Sequence, residues 1–404
     1  MKPLLQVALL TIASLFRNCE AHAQTWALTS APATNWVSLA SSADGTRIAA
    51  AVQGGGIYLS TNSGINWVPT TVPVLIWQSI AASADGAEIV AASSDGVVFI
   101  STDGGVTWSQ NVPAPLVHWA SIAISGNGMR LVGVTRNMVP PEVDIGIYIS
   151  TNGAATWQLL PNSYAPYEAV AASADGSTFA AVGFWWDVES FGPADCVTTN
   201  WGQSFTRIYP QAIAPWTAVA CSSRGAKMLA ASCAGFGLWS STDHGTTWLQ
   251  TPAPLFNCSS VAMSAEGEVI IAAEGPNLPG GVYTSTDFGA TWISNSVPLA
   301  SWSCVASSAD GNKLLAAING GGIYILNSTA HPILNIANAG RNIILSWVVP
   351  STPCALEESA DLNSWSPLLV DPILNSASLR YEANVVAAGN RKFFRLISQR
   401  PVGD

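Results

Sequence analysis

Five carboxylates stand where loops are expected: Glu142, Asp144, Asp187, Glu189 and Glu274. Two of them follow a pair of tryptophans, in the run Phe184-Trp185-Trp186-Asp187-Val188-Glu189-Ser190-Phe191. A carboxylate pair can cleave a glycosidic bond, one group as acid and the other as base or nucleophile, if their separation suits a retaining or inverting site. Flat aromatic faces beside acidic groups can equally bind a sugar or a peptide without reaction. Spacing in sequence fixes no such separation. Other chemistry is thinly supplied. His118, His244 and His331 are isolated, with His244 inside a turn motif and His331 in a linker. They form no nucleophile triad, and the cysteines lack metal-type spacing. No catalytic residue, metal or cofactor is assigned.

The elements that must position these loops are repeats. An octet of pattern Ser-x-Asp-x-Gly-x-Thr-Trp occurs at Ser60–Trp67, Ser101–Trp108, Ser150–Trp157, Ser241–Trp248 and Ser285–Trp292, with a weaker copy at Thr198–Phe205. Its third position is Asn62, Asp103, Asn152, Asn200, Asp243 or Asp287. A period of about 40 to 50 residues means stacked supersecondary units. Each octet follows a strand such as Gly56-Ile57-Tyr58 or Gly281-Val282-Tyr283. A second signal is a tight turn at Asp44-Gly45, Asp85-Gly86, Asn127-Gly128, Asp175-Gly176, Arg224-Gly225, Glu266-Gly267 and Asp310-Gly311. Asx-Gly between short apolar runs marks a hairpin. Each unit therefore reads strand, turn, strand, loop, strand, octet, strand, which is a propeller blade.

Counting the turns predicts an all-β, seven-bladed propeller. The last unit ends at Gly322-Ile323-Tyr324-Ile325 without an octet, and Thr25-Trp26 resembles the end of one. The N-terminal strand is expected to complete that last blade, which removes an exposed sheet edge.

Eight residues before the turns stand Trp36, Trp77, Trp119, Tyr167, Trp216 and Trp302, with Cys258 in the remaining unit. They either pack between blades or ring one mouth of the central channel. Two long loops, Thr135 to Ile145 and Gly183 to Ala194, open on that same face. Function in repeat folds concentrates in such insertions. The expected ligand site is Trp185, Trp186, Asp187 and Glu189, with Trp36, Trp77 and Trp119 as its rim. The competing reading is a loop that merely folds over the channel.

Composition excludes several classes. Charged residues make up 10% of the chain, hydrophobic residues 49%, and the net charge is −10. Phosphate binding needs clustered Lys and Arg, and no such cluster exists, so nucleic acid is not an expected partner. Lys2, the apolar run Leu4 to Phe16 and Ala21-His22-Ala23 read as a signal peptide cleaved after Ala23. Cys19 lacks the small residues of a lipobox before it. No other segment is apolar enough to span a membrane. Export permits disulfides. The preferred reading is buried thiols that fill small core sites, with Cys258 and Cys304 as the pair if a disulfide forms.

The octet resembles the Asp-box, or BNR, repeat of sialidase-type propellers. The whole unit more closely resembles exported relatives of the photosystem II assembly factor propellers. The tail from His331 to Asp404 resembles fibronectin-III-like modules, through Leu362-Asn363-Ser364-Trp365 and Phe393-Phe394-Arg395-Leu396. These likenesses imply a signal peptide over 1–23, a propeller over 24–328 and a small β-sandwich over 329–404. They also imply that the octet Asp or Asn is structural, bonding its own turn. A sialidase site needs three arginines gripping a carboxylate. Arg47, Arg130 and Arg224 lie at the hairpin turns, on the wrong face. The function implied is an exported binding or assembly module for a carbohydrate or protein partner, without catalysis. The alternatives are a glycoside hydrolase of an Asp-box family, more xyloglucanase-like than sialidase-like, and a structural cell-surface component.

Overall fold

The computed structural model describes residues 25–111, 114–136, 145–186, 191–193, 195–207, 215–232, 235–254, 257–275, 279–328, 332–339, 342–386 and 392–398. No helix occurs among them. The repeat units form seven four-stranded antiparallel sheets among the described residues. The first comprises Thr34–Ser41, Ile48–Gly55, Ile57–Ser60 and Val68–Pro69. In the seventh, Trp302–Ser307, Lys313–Gly321 and Ile323–Asn327 come from the end of the repeat. Its outer strand is Trp26–Leu28, paired Trp26 to Leu326 and Leu28 to Tyr324. The first strand of the repeat region thus completes the last sheet.

The sheets crowd at the axis, so their second strands carry small residues. Ala50, Ala51, Ala91, Ala92, Ala180, Ala181, Ala272, Ala273, Ala316 and Ala317 are fully buried. The hairpin turns then join sheet to sheet. Ala43 N donates to Ala84 O at 2.8 Å, Ala84 N to Gly126 O at 2.9 Å, and Gly126 N to Ala174 O at 2.8 Å. Ala174 N donates to Ser223 O, Ser223 N to Ala265 O and Ala265 N to Ala309 O, each at 2.8 Å. Ala309 N donates to Ala43 O at 2.7 Å, and the cycle closes on itself.

Side chains reinforce the cycle. The residue two places after each turn glycine lies on the turn glycine of the next sheet. Arg47 lies on Gly86, Glu88 on Gly128, Arg130 on Gly176, Thr178 on Gly225, Lys227 on Gly267, Val269 on Gly311 and Lys313 on Gly45. These glycines have positive φ as well as no room for a Cβ, so both constraints select Gly.

The C-terminal segment forms two small sheets. One pairs Asn335–Ala339, Asn342–Val348, Arg380–Val386 and Ile373–Asn375; the other pairs Ser366–Pro367, Cys354–Ser359 and Phe393–Ser398. Leu345, Trp347, Leu356, Ala383 and Val385 share one core between them. This segment docks on the turn end of the ring. Val349 is buried among Ala43, Ala84, Ala265 and Ala309. Ser351 donates its N–H (2.7 Å) and hydroxyl (2.8 Å) to Asp310 Oδ2, and Arg380 pairs with Glu266 at 3.1 Å. Leu379 lines, with Ser42, Ser83, Ser222 and Ser308, a cavity of about 150 Å³ at the turn end of the channel.

One turn here was not anticipated. Asp361 Oδ1 accepts bonds from Asn363 N at 2.9 Å and Ser364 N at 2.8 Å, and Ser359 donates its hydroxyl to it at 3.1 Å. Trp365 Nε1 donates to Leu362 O, three residues back, at 3.2 Å. Trp67, Trp108, Trp248 and Trp292 of the octets do the same, Trp108 Nε1 reaching Gly105 O at 3.0 Å. A shortened copy of the octet device therefore sits outside the ring.

Two stability predictions follow from closure and from the turns. Deleting residues 25–31 strips Trp26 from its place against the seventh sheet and leaves an open edge. It should cost at least about 2 kcal/mol, read by denaturant unfolding; an unchanged midpoint refutes closure by this strand. Gly311→Ala should cost about 2–4 kcal/mol, combining positive φ with overpacking on Val269, 2.5 Å from the added Cβ. Gly235→Ala, with positive φ but nothing within 4 Å, should cost only about 1–2 kcal/mol. Equal losses would show that the contact between sheets is unimportant.

Candidate binding face

The octets end on the same face as the hairpin turns, and that face is structural. Asp103 Oδ1 accepts from Ser101 Oγ at 2.8 Å and Thr107 N at 2.9 Å, and its Oδ2 accepts from Thr107 Oγ1 at 2.6 Å. Asp243 and Asp287 repeat these bonds. The Thr side-chain hydrogen bonds hold the carboxyls of Asp103 and Asp243 down to about 2. Asn62, Asn152 and Asn200 accept the same backbone bond without charge. Among the described residues no group of three His, Cys, Asp or Glu is placed to hold a metal. Arg47 and Arg130 are spent on neighbouring turns, Arg130 donating to Gly176 O.

The opposite face carries the long insertions. Phe184–Trp186 pairs with Phe191–Pro193, matching Trp185 to Gly192 and Trp186 to Phe191. This ribbon rises between the second and third strands of the fourth sheet, Phe179–Val182 and Cys196–Thr198. Asp187, Glu189, Glu142 and Asp144 lie outside the described residues.

At the ribbon's root Gly183 is pressed against Pro166 and Tyr167, where a Cβ would sit 2.5 Å from Pro166 O. Gly183 N donates to Asp195 Oδ1 at 3.1 Å. Asp195 is 2% exposed, and its Oδ2 has no partner among the described residues. Burial pushes this carboxyl well above the usual range. Burial also raises Glu168, against the pull of Arg136, with which it is paired. Glu274 is engaged too: its Oε2 accepts from Gly281 N at 3.1 Å, tying the loop of the sixth sheet.

The proposed rim requires correction. Trp36, Trp77 and Trp119 are 0–1% exposed. Each packs edge-on against an aromatic of the third strand, at 5.5 Å for Trp36–Tyr58, 5.9 Å for Trp77–Phe99 and 5.6 Å for Trp119–Tyr148. A register shift directly follows each of them, after which the strand resumes its pairing. Such bulges re-aim side chains, and here the rings lie between sheets rather than at the channel mouth. Cys258 and Cys304 are not bonded to each other. Both are buried thiols, and burial pushes them up to about 12.

With this geometry, the chain can be set beside solved structures. YCF48 from Cyanidioschyzon merolae superimposes at a TM-score of 0.56 and 16% identity, covering 75% of this chain and 98% of that one. YCF48 bound to a D1 peptide superimposes at 0.53 and 16% identity, covering 76% and 97%. The fold is that of the YCF48 β-propeller. No protein-family model and no curated protein matches the chain. The match in fold agrees with the resemblance to photosystem II assembly factor propellers drawn from the repeat.

Asp195 supplies a test of the ribbon's root. Its raised folded pKa means that protonation favours folding. That stabilisation is complete below the unfolded pKa and is lost as pH rises through the folded value. Asp195→Asn keeps the acceptor for Gly183 without the charge. It should raise the melting temperature at pH 7–8 and match the parent below about pH 4. A variant that melts lower at neutral pH would show that Asp195 carries a stabilising charge.

Proposed function

We propose that the protein is an exported seven-bladed propeller that holds a protein partner on the face opposite its C-terminal module. The placement of Val349 and Leu379 over the turn end of the channel carries this reading. With that end covered, a partner meets the face from which the ribbon of Trp185 and Trp186 rises. The likeness to a propeller solved with a peptide supports a protein partner over a sugar. Export rests on the signal-like segment 1–23. Trp185 and Trp186 supply apolar contact area, and Asp187 and Glu189 supply anchors for donors on the partner.

A random-peptide display screen and a glycan array, run on protein starting at Gln24, test this directly. Peptides should be enriched and glycans should not. Trp185→Ala with Trp186→Ala should weaken the selected peptides by at least about 2 kcal/mol, as for aromatic hot spots, with the melting temperature held. Selection of glycans alone, or a double variant that unfolds, would overturn the reading.

A further inference from the structure

Four exposed apolar side chains recur at one register. Val74 (69% exposed), Leu116 (77%), Tyr164 (60%) and Leu299 (76%) each stand three residues before a buried aromatic: Trp77, Trp119, Tyr167 and Trp302. The register places all four in the connections between successive sheets, on the face opposite the turns. The connections are not frayed. Val72, Val117 and Ala165, within two residues of the exposed positions, are buried. Pro73, Pro115 and Pro298 directly precede three of the four and fix the local φ. Ile76 and Phe236 add exposed apolar surface at the same end. The sequence repeats the pattern at Ile213 and Leu255, outside the described residues. Single exposed apolar residues are ordinary, whereas a recurrent set on one face marks an interaction surface.

Charge narrows the occupant. Arg47, Arg130, Arg224, Lys227 and Lys313 all lie in the turns or two residues beyond them, on the opposite face. On the crowned face Asp95 is exposed, Arg136 is paired with Glu168, and the His118 ring is held at Ser94 O. Taking the protein-binding reading above as its basis, we propose that this crown docks an extended segment of another protein bearing both apolar and Lys or Arg side chains. The apolar groups lie on Val74, Leu116, Tyr164 and Leu299. A basic group meets Asp95, in the loop between the Val74 and Leu116 connections. An anionic bilayer fits poorly, because it would meet a face short of positive charge.

Three fluorescent synthetic peptides of one length, alternating Leu/Lys, Leu/Glu and Ser/Lys, can be titrated by anisotropy against the full mature chain. The Leu/Lys peptide should bind at least about tenfold tighter than the other two. Leu116→Ser with Leu299→Ser should remove about that factor without shifting the melting temperature, since exposed substitutions away from special features change stability little. Equal binding of Ser/Lys or Leu/Glu overturns the proposal, as does an unchanged affinity in the crown variant. Trp185→Ala with Trp186→Ala, titrated in parallel, separates the two readings. Loss there with retention in the crown variant sinks the crown and leaves the binding module standing. If no peptide binds, the crown is refuted, and the display screen still judges the broader reading on its own. Binding to phosphatidylcholine vesicles that the crown variant abolishes would assign the surface to a membrane and also overturn it.

Discussion

A closed cycle of backbone hydrogen bonds, from Ala43 through Ala84, Gly126, Ala174, Ser223, Ala265 and Ala309 back to Ala43, is the constraint on which the rest depends. A buried backbone N–H must find a partner, and here each turn finds it in the next sheet. The cycle therefore fixes how closely the sheets approach at the axis. That approach requires alanines in the second strands, glycines in the turns and a side chain from each sheet lying on its neighbour. The last repeat unit supplies three strands, and the strand Trp26–Leu28 returns to complete its sheet.

The cycle makes the two ends of the ring unlike. Its turn end gathers Arg47, Arg130, Lys227 and Lys313 as contacts between sheets and receives the C-terminal segment through Val349, Asp310 and Glu266. The other end keeps the insertions, a buried carboxyl at Asp195 whose Oδ2 has no partner among the described residues, and the exposed apolar crown. Binding at that end need not disturb the hydrogen-bonded cycle, so a partner can meet variable loops on a rigid support.

The octet is a device for ending a strand. Its carboxylate or amide satisfies backbone N–H groups of its own turn, and in four copies its tryptophan caps a carbonyl three residues earlier. Asn serves as well as Asp, and the shortened copy at Ser359–Trp365 works outside the ring. A residue set that recurs wherever a turn needs closing carries no particular chemistry.

The sequence by itself determined the local units: the hairpin turns, the octets, the strand alternation and the N-terminal strand of the last sheet. These depend on interactions spanning a few residues, such as Asx bonds and positive φ, so residue types and spacing report them. Tertiary structure decided what each side chain faces. Trp36, Trp77 and Trp119 occupy mouth-side ends of inner strands, yet a register shift and an aromatic neighbour from another strand bury them. Leu116 and Leu299 read as ordinary apolar residues until equivalence around the ring places them on one face. The docking of the C-terminal segment, and with it the choice of free face, was also illegible. It depends on Val349 meeting Ala43, Ala84, Ala265 and Ala309, which are distant in sequence and adjacent only once the ring has closed.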